Sequence, residues 1–342
     1  MKAVIFSEHG GPDVLRHTET ADPRIRANEV LVEVRACALN HLDVWVRGGL
    51  PGIEIPLPHI LGNDVAGVVR EVGEVVDWVR PGDEVILQPG VSCGHCVECL
   101  RGADNLCPQY DILGHRRDGG YAELVAAPAV NVIPKPEGLS WEEAAALPLV
   151  TVTAWHMLVT RAAVQPGEDV LIHAAGSGVG SAGLQIAKLR GARVIATASS
   201  EEKLDKARAL GADEVINYTR ADWPKEVRRL TGKKGVEVVF EHTGAETWPG
   251  SIQALARNGR LVTCGATSGF DARTDIRQLF YRHLTFLGSF MGSKAELLDA
   301  MKFVGRGQIR GVVDRTLPLA EARRAHELMQ DRAQFGKLVL TP

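Results

Sequence analysis

The stretch "HAAGSGVGSAG", residues 173–183, leaves few folds open to this chain. It sits between the apolar run "VLI" at 170–172 and a helical pattern that begins near Val179. Glycines at 176, 178, 180 and 183 permit a tight turn and a close approach of backbone to a ligand. A helix opening on such a turn aims its unpaired N–H groups and the positive end of its dipole at an anion. Downstream the pattern repeats as "ARVIATA", "SEEKLDKARAL", "EVINY", "WPKEVRRLT", "VEVVFEHTG", "WPGSIQALAR", "GRLVTCG" and "LTFLGSF". Apolar strands alternating with helices predict an α/β fold with a doubly wound parallel sheet. In that setting Gly176, Ser177, Gly178, Val179 and Gly180 read as the cradle for a dinucleotide pyrophosphate.

The next strand bears on which dinucleotide. An acidic residue about twenty positions after the glycine turn would hold the ribose 2′-hydroxyl of NAD. Here the strand ends Thr197-Ala198-Ser199-Ser200, with no carboxylate at its tip. A 2′-phosphate would not be repelled there, and Ser199, Ser200 and Lys203 can donate to it, so NADP(H) is favoured over NAD(H). The bland reading of Ser199 with Glu202 is a capping box for the following helix.

The first 130 residues carry a different rhythm. Short β-branched runs ("KAVIF", "EVLVEVRACAL", "DVAGVVREVG", "DEVILQP", "GYAELVAAP") alternate with Gly and Pro turns, which predicts a compact, partly barrel-like β domain. Ser140 and Glu143 form a capping box that opens a helix, and Pro148 stops or kinks it. The last fifty residues add the helices "KAELLDAMKFVGRG" and "LAEARRAHELMQ" and the strand "GKLVLTP". A chain of 342 residues accommodates two such domains. Its net charge of -3 offers no basic field for nucleic acid, which leaves small molecules as the expected ligands. The N-terminal apolar run is too short for a signal peptide, and the apolar region 144–159 is broken by Pro148, Thr151, Thr153 and His156, so no membrane span is expected. The expected compartment is the cytoplasm.

Four of the six cysteines, Cys93, Cys96, Cys99 and Cys107, fall within one short loop. That spacing predicts a tetrahedral four-thiolate zinc site, which leaves no open coordination position and therefore serves structure rather than chemistry. A redox dithiol is the lesser alternative. His95 lies within the loop as a surplus residue, and Cys37 and Cys264 read as small buried apolar groups.

A β domain with a four-cysteine lobe, followed by "AAGSGVG" and alternating β and α elements, resembles the medium-chain dehydrogenase/reductase superfamily over essentially the whole chain. The resemblance implies a GroES-like catalytic domain over 1–150, with the zinc lobe at 93–107, completed by 293–342. It implies a Rossmann domain over 151–292. Zinc alcohol dehydrogenases of that superfamily hold a catalytic zinc through a Cys, the His of a Gly-His-Glu and a later Cys. Those places fall here on Asn40, Asn63 (with Asp64 for the Glu) and Leu149. An amide is a weak zinc ligand and leucine is none, so zinc cannot be held in that way. "ALNHLDVWVRGG" is instead similar to the quinone oxidoreductase and zeta-crystallin branch, whose typical members lack the four-cysteine lobe kept here.

The reading that follows is reduction of a quinone or other conjugated carbonyl by hydride from NADPH, without a catalytic metal. Asn40 would donate to the substrate oxygen, Asp43 would orient Asn40 or a water, and His41 would relay a proton. Asn63 and Asp64 would support them or cap the turn before "VAGVV"; the bland reading of Asn40 and Asp43 is a helix cap. The resemblance also implies cofactor contacts at Thr153, Tyr218, Gly265 and Lys337. Two readings compete: an alcohol dehydrogenase whose metal uses His41, His59 and Asp64, and a non-catalytic, crystallin-like NADPH-binding protein. The strand "LTFLGSF" resembles the superfamily's dimerising edge, so a homodimer or homotetramer is expected.

Overall fold

Strands with both faces apolar need helices on both sides, and the second half of the chain supplies them. The computed structural model describes all 342 residues, Met1–Pro342. They divide into two units, Met1–Leu149 with Ser293–Pro342, and Val150–Gly292.

In the second unit six strands form one parallel sheet in the order Glu214–Asn217, Arg193–Ala198, Asp169–Ile172, Val236–Glu241, Leu255–Thr263, Thr285–Gly288. The strand order reverses between Asp169–Ile172 and Val236–Glu241, and crevices for ligands open at such a point beyond the strands' carboxyl ends. Leu171, Ile195, Val239 and Leu261 fill the core under Ile252, Trp223 and Trp248 from the covering helices. Phe240 presses on Gly183 so closely that a Cβ there would lie 2.9 Å from the ring. The fourth glycine, Gly183, is therefore a packing requirement between helix and sheet.

The first unit is mainly antiparallel. Glu29–Ala38 is its longest strand, pairing with Asp64–Val72, Leu124–Pro128 and Lys337–Thr341. The last of these runs parallel to Val313–Pro318, a strand the sequence pattern did not signal because half of its residues are polar and it ends on a proline. Alternation in "EVLVEV" sends Val30, Val32 and Val34 into a core shared with Leu61, Val65, Val85, Leu87, Val125, Leu338 and Leu340. The capping box at Ser140 opens the helix Trp141–Ala145, and Pro148 begins a second helix, Pro148–Trp155, that continues as a π-helical turn through Arg161. No helix is long and apolar enough to cross a membrane.

Candidate functional site

The cofactor residues of the second unit gather at the carboxyl edge of its sheet. Ile172 ends a strand, Ala174 takes a positive φ of 42°, and Ser177 caps the helix Gly178–Leu189 by accepting the Gly180 N–H at 2.9 Å. A Cβ on Gly180 would stand 2.5 Å from the Ala174 carbonyl oxygen, so only glycine fits there. The turn thus presents Gly176, Ser177, Gly178 and Val179 at a helix N-terminus, a fit for a pyrophosphate. Ser200 caps the helix Glu201–Ala209, accepting the Lys203 N–H at 3.4 Å, and Ser199 stands beside it at the end of Arg193–Ala198. Tyr218 is 39% exposed after Glu214–Asn217, Gly265 follows Leu255–Thr263, and Thr153 lies buried on Pro148–Trp155 with its hydroxyl 3.9 Å from the Met291 sulfur.

The same edge holds a residue the sequence reading passed over. Glu241 is fully buried at the end of its strand and accepts from the Thr243 and Gly244 N–H groups and the Thr247 and Ser251 hydroxyls. Burial opposes its ionisation, but neighbouring His173 and these donors hold its pKa below the usual value. The carboxylate pins the loop after Val236–Glu241. His173, 3.8 Å away, is itself pushed down to about 4 by burial.

In the first unit the strand Glu29–Ala38 delivers Asn40 to the N-cap of the helix His41–Gly48. Its side chain does not cap that helix. The Asn40 Nδ2 group donates to Asp64 Oδ2 at 2.8 Å, while Asn40 Oδ1 accepts from Lys337 Nζ at 2.6 Å. Lys337 also pairs with Asp64 Oδ2 at 2.9 Å, and Asp64 Oδ1 accepts the Leu149 backbone N–H at 2.7 Å. Asn40, Asp64 and Lys337 are each at most 6% exposed. Two of the three places expected to lack metal ligands, Asn40 and Leu149, therefore converge on a buried carboxylate paired with a buried ammonium, with Leu149 contributing its amide.

Three expectations are corrected and one is sharpened. Lys337, expected at the cofactor, is committed to Asn40 and Asp64. Asn63, just before the strand Asp64–Val72, is fully buried and turns its amide to the Leu113 carbonyl at 2.6 Å, while Asp64 is the residue that meets Asn40. Asp43, expected to orient Asn40 or a water, does hold Asn40: it is fully buried and accepts from the Asn40 and Gly62 N–H groups and the Tyr121 hydroxyl. It fixes the backbone at Asn40, and burial raises its pKa to about 6. His41, His59 and Asp64 do not assemble as a metal site, since His59 is held by Asp118 and the Gly114 carbonyl. His41 itself is half-buried, edge-on to Trp45 at 5.2 Å.

Behind Asp43 lies a chain of contacts that no local pattern announced. Arg47 can only donate, so His326 Nδ1, 2.8 Å from it, accepts, and the imidazole proton sits on Nε2, 3.3 Å from the Tyr121 oxygen. The Tyr121 hydroxyl then donates to Asp43 at 3.1 Å. Burial, then Arg47 and His41, push His326 down to about 3.

The four cysteine sulfurs lie within 4.8 Å of one another, with Cys93 to Cys99 at 3.9 Å and Cys96 to Cys99 at 3.5 Å. A tetrahedron of thiolates on zinc has edges of about 3.8 Å, so the donor set fits the ion. The thiols do not ionise evenly by themselves: Cys93, whose sulfur the N–H groups of His95 and Cys96 face, is lowered to about 6, while Cys96 is raised to about 11. A shared cation resolves that competition.

Comparisons with known proteins agree with this architecture. The alcohol dehydrogenase GroES-like domain family matches residues 26–137, and the zinc-binding dehydrogenase family matches residues 178–306. A crystal structure described as an NAD-dependent alcohol dehydrogenase superposes with a TM-score of 0.97 at 53% identity, covering 100% of both chains. The NAD-dependent alcohol dehydrogenase of Saccharolobus solfataricus is 32% identical over 100% of both chains. The quinone oxidoreductase of Salmonella typhimurium is 31% identical over 98% of both. The chain belongs to the zinc-type medium-chain dehydrogenase/reductase family, with a GroES-like and a Rossmann-type part. It is an NAD(P)-dependent oxidoreductase.

Proposed function

We propose that this enzyme reduces quinones or other conjugated carbonyl compounds without a catalytic metal, using NADPH. The observation that carries the reading is the Lys337 ammonium, buried between Asn40 and Asp64 where zinc relatives of this family gather metal ligands. A cation of the chain's own stands there, and the donors that remain are an amide and a carboxylate already engaged. Oxidising a simple alcohol needs its hydroxyl pKa lowered from about 16 toward 7, which a metal does and an amide does not. Hydride addition to a conjugated carbonyl needs only that a delocalised oxyanion be stabilised, which oriented hydrogen-bond donors achieve.

NADPH, when bound, supplies the hydride to the β-carbon of the acceptor or to a quinone carbonyl. The residues of the chain do the rest. Asn40 presents its second Nδ2 proton to the substrate oxygen as negative charge develops. Asp43 holds the Asn40 backbone in place. His41, half-buried at the start of its helix, exchanges the proton that completes the alcohol or ketone. The uncharged serines at the end of Arg193–Ala198 support NADPH, whereas the names of the relatives favour NADH and alcohol oxidation as the competing reading. The open edge strand Thr285–Gly288, with Phe280, Tyr281 and Phe290 exposed nearby, supports a homodimer or homotetramer.

A panel of quinones, enals and simple alcohols, run with NADPH and NADH at matched concentrations beside zinc quantification, tests the reading. Turnover of quinones or enals with one zinc per chain is expected. Two zincs per chain with chelator-sensitive alcohol oxidation would overturn it, and tight NADPH binding without turnover would point to the non-catalytic role.

A further inference from the structure

The sequence reading left Lys337 without a role in catalysis, yet its backbone and its side chain are both held fast. Gly336 before it has φ of +97°, and a Cβ there would meet the Val312 carbonyl oxygen at 2.3 Å. The Lys337 N–H donates to that same carbonyl at 2.8 Å. With its backbone fixed and only 3% of its surface exposed, the side chain runs inward to end on Asn40 and Asp64.

The chemistry of the two neighbours fixes the Asn40 amide. An ammonium only donates, so the atom facing it at 2.6 Å is Oδ1. A carboxylate only accepts, so the atom facing Asp64 at 2.8 Å is Nδ2. Turning the amide over would set N–H against ammonium and oxygen against carboxylate, two repulsive contacts in a low-dielectric interior. One Nδ2 proton is taken by Asp64, and the other is left to point out of the triangle. A charged donor on Oδ1 also draws electron density from the amide and strengthens the remaining N–H as a donor.

Resting on the proposed role of Asn40, we propose that Lys337 is a positioning residue for the reaction. Its ammonium, neutralised by Asp64, locks and polarises the Asn40 amide so that one N–H is aimed at the substrate oxygen. The site keeps a fixed positive charge behind its donor.

Removing Lys337 alone leaves a buried, unpaired Asp64 carboxylate, which by itself destabilises the fold. The test therefore uses paired substitutions that cancel the charges together. Lys337→Met with Asp64→Asn removes the partner of Asn40 Oδ1. Lys337→Gln with Asp64→Asn keeps a neutral donor to it. All proteins are assayed with NADPH and a quinone or enal, beside Asn40→Ala. We expect the Met/Asn pair to fold, to lose about 100-fold in kcat, and to keep its KM for NADPH within about twofold. The Gln/Asn pair should recover about tenfold of that loss. Adding Asn40→Ala to the Met/Asn pair should cost little more, since both changes disable one donor.

A folded Met/Asn protein with kcat within about twofold of wild type, while Asn40→Ala alone is strongly impaired, overturns the role of Lys337 and leaves the proposed function standing. If the Met/Asn pair does not fold, the Gln/Asn pair decides: kcat nearer wild type than that of Asn40→Ala supports the clamp, and kcat equal to it overturns the clamp. An Asn40→Ala enzyme with undiminished kcat overturns both readings.

Discussion

His326 allows a test of the buried network that does not depend on knowing the substrate. The group is fully buried, accepts from Arg47 at Nδ1 and faces the Tyr121 hydroxyl with Nε2. Protonation would set a second N–H against the guanidinium and place like charges 2.8 Å apart. Its pKa falls accordingly from 6.5 to about 3. A base whose folded pKa is depressed must be neutral in the fold. Its contribution is therefore fully present above pH 6.5 and is lost as the pH drops toward 3. Each pH unit in that window costs about 1.4 kcal/mol, so moving from 6.5 to 4.5 costs about 3 kcal/mol through this residue alone.

His326→Gln keeps an acceptor and a donor at the same place but does not titrate. At pH 8 it should lose about 1–2 kcal/mol from imperfect geometry. Between pH 7.5 and 4.5 it should lose about 3 kcal/mol less than wild type. Asp43, raised to about 6 by burial, acts with the opposite sign: stability falls as the pH rises from 3.8 through about 6. It is present in both proteins and cancels in the difference. Urea unfolding of the two proteins at both pH values, with hydrogen exchange of the Glu29–Ala38 amides to confine the readout to this unit, measures the effect. Parallel loss of stability on acidification in both proteins would refute the argument.

Chelation or Cys99→Ser should release the single zinc and unfold its lobe, whose Val97, Leu100 and Leu106 are more than 60% exposed and give it no core; limited proteolysis within 93–107 reads this. Phe240→Ala should cost about 3–5 kcal/mol by opening a cavity against Gly183, measured by thermal unfolding. Gly180→Ala, with its methyl driven onto the Ala174 carbonyl, should raise the NADPH KM about tenfold or more while leaving the first unit's stability unchanged. Tyr121→Phe should cost about 1–3 kcal/mol, because it leaves the buried His326 Nε2–H without its partner and takes one of the two donors from Asp43 Oδ2.

The parts of this protein that could be read in the sequence are those whose determinants are close together in it. Four cysteines in one loop and four glycines in one turn announce a metal and a pyrophosphate because backbone geometry alone brings those groups together. Alternation in "EVLVEV" announces a strand for the same reason. Asn40, Asn63 and Leu149 could be seen as missing ligands only through the family resemblance. What replaces them could not be seen, because the Asn40 to Lys337 bond joins positions 297 apart and the Tyr121 to His326 contact joins positions 205 apart. The error at Asn63 has a simple origin. It and Asp64 are adjacent in sequence but face opposite sides of the chain, and it is Asp64 that meets Asn40. Asp43 was placed beside Asn40 through the family resemblance, and the structure gives its means of holding Asn40: a buried carboxylate that accepts the Asn40 N–H.

The sheet of the first unit is closed by a strand from the far end of the chain, Lys337–Thr341 against Glu29–Ala38. During synthesis Asn40 emerges while its clamp, 297 residues away, has yet to be made. At 5–20 residues per second that interval is roughly 15–60 s. Through it Asp64 carries its charge without a counter-ion and the strand edge at Cys37 and Ala38 lies open, while the whole dinucleotide unit is completed in between. A nascent chain that stops short of Lys337 therefore lacks both the partner of Asn40 and Asp64 and the strand that covers Cys37 and Ala38.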